Sequence, residues 1–529
     1  MNGLIYKTGK LALAAFSAAL LNTYVSGETV SGYVYLDKDE TGYRSSGDPG
    51  IANVAVSNQL DVVLTDEDGY YELPISEEGI VFISKPYNYD FVLDEQFLPK
   101  FYYIHRPSGS PDLEFEGIAP TGPVPDQLNF GLLAKSTAAD SALHSILIGD
   151  PQPRNNRELD YFRDSILAEV AQETMDYIFV VGDIMYDDLS MFGRYNRMMQ
   201  TLRTPVINII GNHDLNLDAE DNRYARETFK AHYGPTYFSF AEKDTHFLIL
   251  DNIDYQGRDK EGRPRYEGRI GQRQLEWIEN DLKNVLPEQL LVILTHIPLT
   301  EPNRPNHLAL NTSDTKSLMK LLEPYSNVLV LAAHVHTISH TFLGEEFGRN
   351  NPNKAHQILI AAASGSWWTG SKDNYLVPNS TQRDGTPKGY HKLHIENGIY
   401  SEAFKAAGFG SDYQLRIEKP KGKIGFAELN EVRIKVNLFN GSERSKVEAR
   451  INRGDWMPMK HSPGSFSPFF ANLQEQGHIP ERIRALPTTH LWTMDMPNGL
   501  DQGTHLIEVR AEDPYGRSFS QSKIVEIID

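Results

Sequence analysis

Five times between residues 143 and 404, an apolar run of strand length ends in residues able to bind metal. Ser145-Ile146-Leu147-Ile148 leads into Asp150-Pro151-Gln152, and Tyr177-Ile178-Phe179-Val180-Val181 into Gly182-Asp183. Pro205-Val206-Ile207-Asn208-Ile209-Ile210 leads into Gly211-Asn212-His213-Asp214. The run at 290–295 leads into His296, and that at 328–331 into His334-Val335-His336. Helical patterns lie between the runs, over 158–171, 220–232 and 272–285. Such alternation builds a layered α/β core. In open α/β sheets, sites form at the carboxyl ends of strands, so five strand ends can converge on one cleft.

Each fragment alone is ordinary. A Gly-Asp after a strand usually makes a turn or a helix cap, and one histidine among 17 is usually a surface or core residue. His-Val-His, read as strand, sets both imidazoles on one face. The ordered set of five is what carries weight. Carboxylate, imidazole and amide oxygens together suit a pair of divalent or trivalent first-row metals, with manganese, iron and zinc all open.

The flanking regions read differently. Val30-Ser31-Gly32-Tyr33-Val34-Tyr35 and Asn53-Val54-Ala55-Val56 alternate at period two, a turn occupies 65–71, and no long helical period appears before residue 135. This predicts a small prealbumin- or immunoglobulin-like β-sandwich over 28–135, with the proline-containing stretch 117–125 as the linker out of it. Alternation returns at 431–436 and 505–510, predicting a second β-sandwich over 409–529. With 529 residues the chain has room for about three domains, the middle one spanning 136–408. Asp37, Asp39 and Asp48 around Gly42 offer oxygen ligands for calcium, or form a plain acidic turn.

Composition narrows the function classes. Lys7 and Lys10 precede an apolar run at 11–21, and Val25-Ser26-Gly27 offers a cleavage site, so residues 1–27 read as a signal peptide and the protein as secreted or periplasmic. That run is shorter than the ~20 residues of a membrane-crossing helix, so no membrane span is expected. The chain has no cysteine, which excludes disulfides, thiolate metal sites and cysteine nucleophiles. A net charge of −20 argues against a nucleic-acid-binding face, though not against an anionic substrate held by metals in a cleft.

The series Asp150/Gln152, Asp183, Gly211-Asn212-His213-Asp214, His296 and His334/His336 resembles the calcineurin-like metallophosphoesterase signature. Tyr233 to Phe240, Gly365-Ser366-Trp367-Trp368 and Asp384 to Tyr390 resemble a bacterial secreted branch with β-domains on both sides of the catalytic core. The resemblance implies a four-layer αββα sandwich flanked by two all-β sandwich domains, and two metals sharing one bridging carboxylate. It implies that Asp183 bridges, that Asp150, Gln152 and His336 complete one site, and that Asn212, His296 and His334 complete the other. The implied activity is hydrolysis of phosphate mono- or diesters by metal-activated water, with His213 protonating the leaving oxygen.

Three positions depart from the family's common pattern. Gln152 stands in place of a ligating histidine, donating an amide oxygen directly or through a water. Tyr186 occupies the position of an aspartate that orients the catalytic histidine, which makes Asp187 the candidate for that role. Ala333 replaces a glycine before His-x-His. Candidate substrate contacts are Arg154, Trp367, Trp368 and Tyr390, each with a plain alternative in packing or solvation. The rival reading of the whole chain is a surface-binding protein whose β-modules engage a polymer around a non-catalytic scaffold. A peptidase reading lacks His-Glu-x-x-His.

Overall fold

Three of the five apolar runs form the parallel part of one sheet. A computed structural model of the protein describes residues 28–135, 142–304 and 307–529, so the expected signal peptide lies outside the described residues. Strands Leu143–Ile148, Tyr177–Val181 and Val206–Ile209 pair in parallel, with Tyr177 opposite Ser145 and Ile178 opposite Val206. The antiparallel strands Gly389–Glu396 and Ile399–Ala406 complete this five-stranded sheet. The other two runs, Leu290–Leu294 and Asn327–Ala332, are neighbours in a six-stranded sheet with four parallel inner strands and antiparallel edges.

Period-two geometry decides what each face meets. Leu147, Phe179 and Val181 share a core with the second sheet, where Phe179 stacks on Phe247 at 5.5 Å between centroids. The alternate residues Ile146, Ile148, Ile178 and Val180 pack instead against Phe162, Ile166, Phe192 and Tyr195 of the helical layer. Helices Gln272–Leu282 and Thr315–Leu321 bury Leu275, Trp277, Leu318 and Met319 in the core of the second sheet. The result is a central mixed α/β core with β-rich sheets at both ends of the chain. Among the described residues, no helix is long and apolar enough to cross a membrane.

Helix boundaries show where side chains overrode periodicity. The helix expected from 158 begins at Asn156, because Asn155 accepts the N–H groups of Arg157 and Glu158 and caps it. The one expected over 220–232 is only Glu227–Tyr233. Before it, Asn222 Oδ1 accepts the Tyr255 N–H and Arg226 pairs with Asp251, which leaves 220–226 as turns. Helix Phe192–Met199 was not expected, since its buried face includes Asn196, whose oxygen accepts the Tyr233 hydroxyl at 2.9 Å.

Two four-stranded sheets make up the N-terminal region. The stretch 117–125 is not its exit. The chain returns afterwards to add Phe130–Ala134 in parallel beside Glu28–Leu36, so 117–125 is a strap lying on the core, with Gly117 close against Glu227. The region is docked firmly. Arg106 makes a two-pronged ion pair with buried Glu227, Phe101 packs on Phe238 at 4.7 Å, and Lys85 reaches Glu242 at 2.9 Å. The C-terminal region pairs a four-stranded with a five-stranded sheet. It is tied to the core through buried Asp384, which accepts the Ile338 N–H at 2.7 Å and faces His490 Nε2 at 3.1 Å.

Candidate metal centre

Because the three parallel strands of the first sheet and the two of the second point the same way, their five carboxyl ends meet. Gly149 bridges to Ala362 across the two sheets, closing the gap between them. Asp150, Gln152, Asp183, Asn212, His296 and His336 are all buried there, and His334 is partly so. Asp183 lies between the two halves of the cluster. Its Oδ1 is 3.2 Å from His296 Nε2, and its Oδ2 accepts the Gln152 amide at 3.0 Å. Ligand atoms of Asp183, His296 and His334 lie within 4.8 Å of one another. On the other side His336 Nε2 is 3.7 Å from Asp150 Oδ1.

The backbone is bent to make this possible. Asp150, Gln152, Asp183, Asp187, His334, His336, Trp367 and Trp368 all have left-handed φ, between 41° and 72°. Each such residue costs about 1–3 kcal/mol, and strain of this kind persists where the surroundings over-determine it, as at functional sites. The expectation that His334 and His336 share a strand face is corrected here. The strand ends at Ala332, and two left-handed residues beyond it, not pleating, turn both imidazoles toward the cluster. Ala333 is not left-handed, so its methyl group needs no glycine. Gly182 does: with φ of +81°, a Cβ there would sit 2.3 Å from the His296 ring.

Tautomers follow from the partners. A carbonyl can only accept, so His296 Nδ1–H donates to Val181 O at 2.8 Å, and His336 Nδ1–H donates to Gly365 O. In its neutral form each ring therefore turns an Nε2 lone pair toward the cluster, as a metal ligand must. Burial pushes every ionisable group here toward its neutral form, and Asp150 rises to about 8. At His296 the Asp183 charge outweighs burial and lifts it to about 9. Asp183 is itself held well below the carboxylate range, burial being overcome by His296 and His213. Burial takes His334 and His336 down to about 3 and 4.

Two buried atoms test whether cations fit. Gln152 Oε1 and Asn212 Oδ1 have no hydrogen-bond partner. A buried polar atom left so costs about 1–3 kcal/mol and calls for an explanation. In the grouping the resemblance implies, one of these amide oxygens falls on each side of Asp183. The donor chemistry fits two cations.

Four neighbours complete the centre. His213 N–H donates to Asp183 Oδ1 at 3.0 Å, and its Nδ1 lies 2.6 Å from Asp187 Oδ1. Its ring stacks on Tyr186 at 4.4 Å, and the nearby carboxylates of Asp183 and Asp187 outweigh burial to raise its pKa. Asp214, whose role sequence reasoning missed, is fully buried and accepts the N–H groups of Gly211, Ile184 and Met185 at 2.9, 3.1 and 3.0 Å. It clamps the two loops that carry Asp183 and Asn212; its place in Gly-Asn-His-Asp was the available signal. Asp214→Asn sets an NH2 against at least one of those donors. It should lower stability by about 1–3 kcal/mol, seen as a lower Tm in the metal-free protein; an unchanged Tm refutes the clamp.

The substrate candidates separate. Trp367 is partly buried and packs on His336 at 4.3 Å between ring centroids, tilted by 32°. Trp368 is buried in the helical-layer core and donates to Pro151 O at 2.9 Å. Tyr390 is fully buried with its hydroxyl on Glu173, so it cannot touch a ligand in the cleft; packing between the hairpin and the helical layer took it. Arg154 is half-exposed, bonded to Trp367 O and paired with Glu158. Asp37, Asp39 and Asp48 do cluster. Asp37 accepts the N–H groups of Thr41 and Gly42, and Asp48 those of Lys38 and Ser45, so a turn accounts for the burial of these two carboxylates.

Fold and donor cluster together define a metallophosphoesterase core. Family models match in three successive stretches: the N terminal of calcineurin-like phosphoesterase over 38–117, calcineurin-like phosphoesterase over 143–337, and the C terminal of calcineurin-like phosphoesterase over 358–519. The protein is a calcineurin-like metallophosphoesterase with that family's N- and C-terminal domains. No curated protein matches it in sequence. Among solved structures it is similar to a purple acid phosphatase from yellow lupin (Lupinus luteus) seeds. The two share 13% identity over 72% of this chain and 67% of that one, at a TM-score of 0.34.

Proposed function

We propose that the protein hydrolyses phosphate esters at a two-metal centre held by Asp150, Gln152, Asp183, Asn212, His296, His334 and His336. The observation that carries this reading is the pair of orphaned amide oxygens flanking Asp183, in a buried cluster rich in carboxylate and imidazole. When bound, the two ions supply Lewis acidity, polarising the phosphoryl group and lowering the pKa of a water. Two carboxylates leave two divalent ions under-neutralised, so the centre as a whole attracts a phosphate anion.

The chain's own groups do the rest. Asp183 sets the spacing of the two halves, and the Val181 and Gly365 carbonyls keep His296 and His336 in the ligating tautomer. His213 gives the Nε2 proton to the departing ester oxygen. Asp187 accepts Nδ1–H, which orients the ring and balances its charge, and Tyr186 beneath the ring limits its tilt. Trp367 walls the cleft over His336.

The test is turnover of paired aryl phosphate mono- and diesters by metal-reconstituted protein, with metal content measured on the same sample. Hydrolysis of at least one ester should rise with metal occupancy and vanish on chelation. Full occupancy without turnover of either ester refutes the proposal.

A further inference from the structure

One cavity beside the centre takes no part in the roles above. It measures about 290 Å³ and is lined by Arg154, Tyr186, Trp367, Thr369, Arg383 and the segment Arg482-Ile483-Arg484. Four guanidinium groups line it and no carboxylate does, in a chain whose net charge is −20. Like charges at such spacing repel unless water or an anion separates them. Glu158 is paired with Arg154 on one flank.

The cavity is built, not a chance meeting of surface side chains. Arg383 N–H donates to His336 O at 2.9 Å, Leu486 N–H donates to Arg383 O at 2.9 Å, and Arg383 Nε donates to Arg484 O at 3.0 Å. The C-terminal arginine segment is therefore hung on the backbone of a metal-ligand residue. Burial pushes the Arg383 guanidinium below its ordinary pKa, with only Glu301 acting against it. Two walls are shared with the centre: Trp367 packs at a tilt on His336, and Tyr186 stacks on His213. An occupant is thus one ring away from the group proposed to protonate the leaving oxygen.

We propose that this cavity binds a second anionic group carried by the leaving portion of the substrate, so that the preferred substrates are phosphate esters whose leaving group bears a phosphate or carboxylate of its own. The inference rests on the phosphoesterase reading for the reaction, and on the cavity alone for the anion. Guanidinium forks bind both anions through paired hydrogen bonds. The C-terminal domain then completes the substrate site instead of serving only as an attachment.

The test compares wild type with the double variant Arg482→Ser/Arg484→Ser, both positions being exposed. Substrates are 4-nitrophenyl phosphate and its ring-substituted forms bearing a carboxylate or a phosphonate. The double variant should lose about 10- to 100-fold more kcat/KM on a charged ester than on the plain one, as expected for losing charge-assisted hydrogen bonds. The two charged esters tell carboxylate from phosphonate preference. Arg482→Lys/Arg484→Lys should recover part of the loss. Equal losses on plain and charged esters, or no loss on either charged ester, overturn the proposal.

If wild type hydrolyses none of the esters, the phosphoesterase reading falls and calorimetry decides the cavity. Benzene-1,3-bisphosphonate should bind the metal-loaded wild type about 10-fold or more tighter than it binds the double variant, with phenylphosphonate unchanged. Equal affinities would overturn the cavity assignment.

Discussion

Asp183→Asn should empty both metal sites at once and lower kcat/KM by more than about 10³, since losing a direct ligand costs more than the about 10–100-fold of losing an outer partner. The reason is position. One carboxylate oxygen faces His296 at 3.2 Å and the other faces Gln152 at 3.0 Å, so this one side chain spans both halves. His296→Ala, by contrast, should empty mainly the half it shares with His334. Elemental analysis of the purified variants reads the difference. The asparagine variant keeps an oxygen for the His213 N–H but loses the carboxylate charge that His296 and His213 stabilise in the folded state, so without metal at neutral pH its Tm should fall below that of wild type. Metal added to wild type should raise Tm, and metal added to the variant should not. Two ions retained at full occupancy in Asp183→Asn would refute the bridge.

His213→Ala should lose far more on a poor leaving group than on a good one. An alkoxide needs a proton as it departs and a nitrophenolate does not. The extra loss on an alkyl phosphate over 4-nitrophenyl phosphate is expected on the order of 10–10³, within the range of general-acid contributions. Geometry makes the variant a clean one. The contact from residue 213 to Asp183 runs through its backbone N–H, which alanine keeps, while the lost ring touches Asp187 and Tyr186. Metal content should therefore match wild type. Equal losses on both esters would assign His213 to positioning, and loss of metal would make it a support of the centre.

Much of the core was legible because its signals are local. An apolar run buried on both faces of a sheet stays a strand wherever the chain goes, and Leu143–Ile148, Tyr177–Val181 and Asn327–Ala332 lie within two residues of the predicted runs. Polar residues with ligand chemistry stand out directly after such runs. Helix lengths were less legible. Asn222 and Arg226 turned 220–226 out of a helix through partners distant in sequence, and the amide of Asn196 masked helix Phe192–Met199. The His-Val-His geometry was right in which residues face the cluster and wrong in its cause, because left-handed backbone leaves no mark in periodicity.

What the sequence determined by itself was the donor set and the alternation that brings it together: period two, period 3.6 and residue chemistry are all properties of short stretches. What only the tertiary structure decided was which of two adjacent tryptophans faces the cleft, that Tyr390 is walled off behind the hairpin, and that Arg154, Arg383, Arg482 and Arg484 share one cavity. The last depends on how the C-terminal sheets dock on the core, through Asp384, His490 and the pairing of Arg383 with Leu486, and the other two on contacts to Pro151 and Glu173 within the core. Such contacts join residues far apart in the chain, and nothing in the local pattern around any one of them specifies the partner.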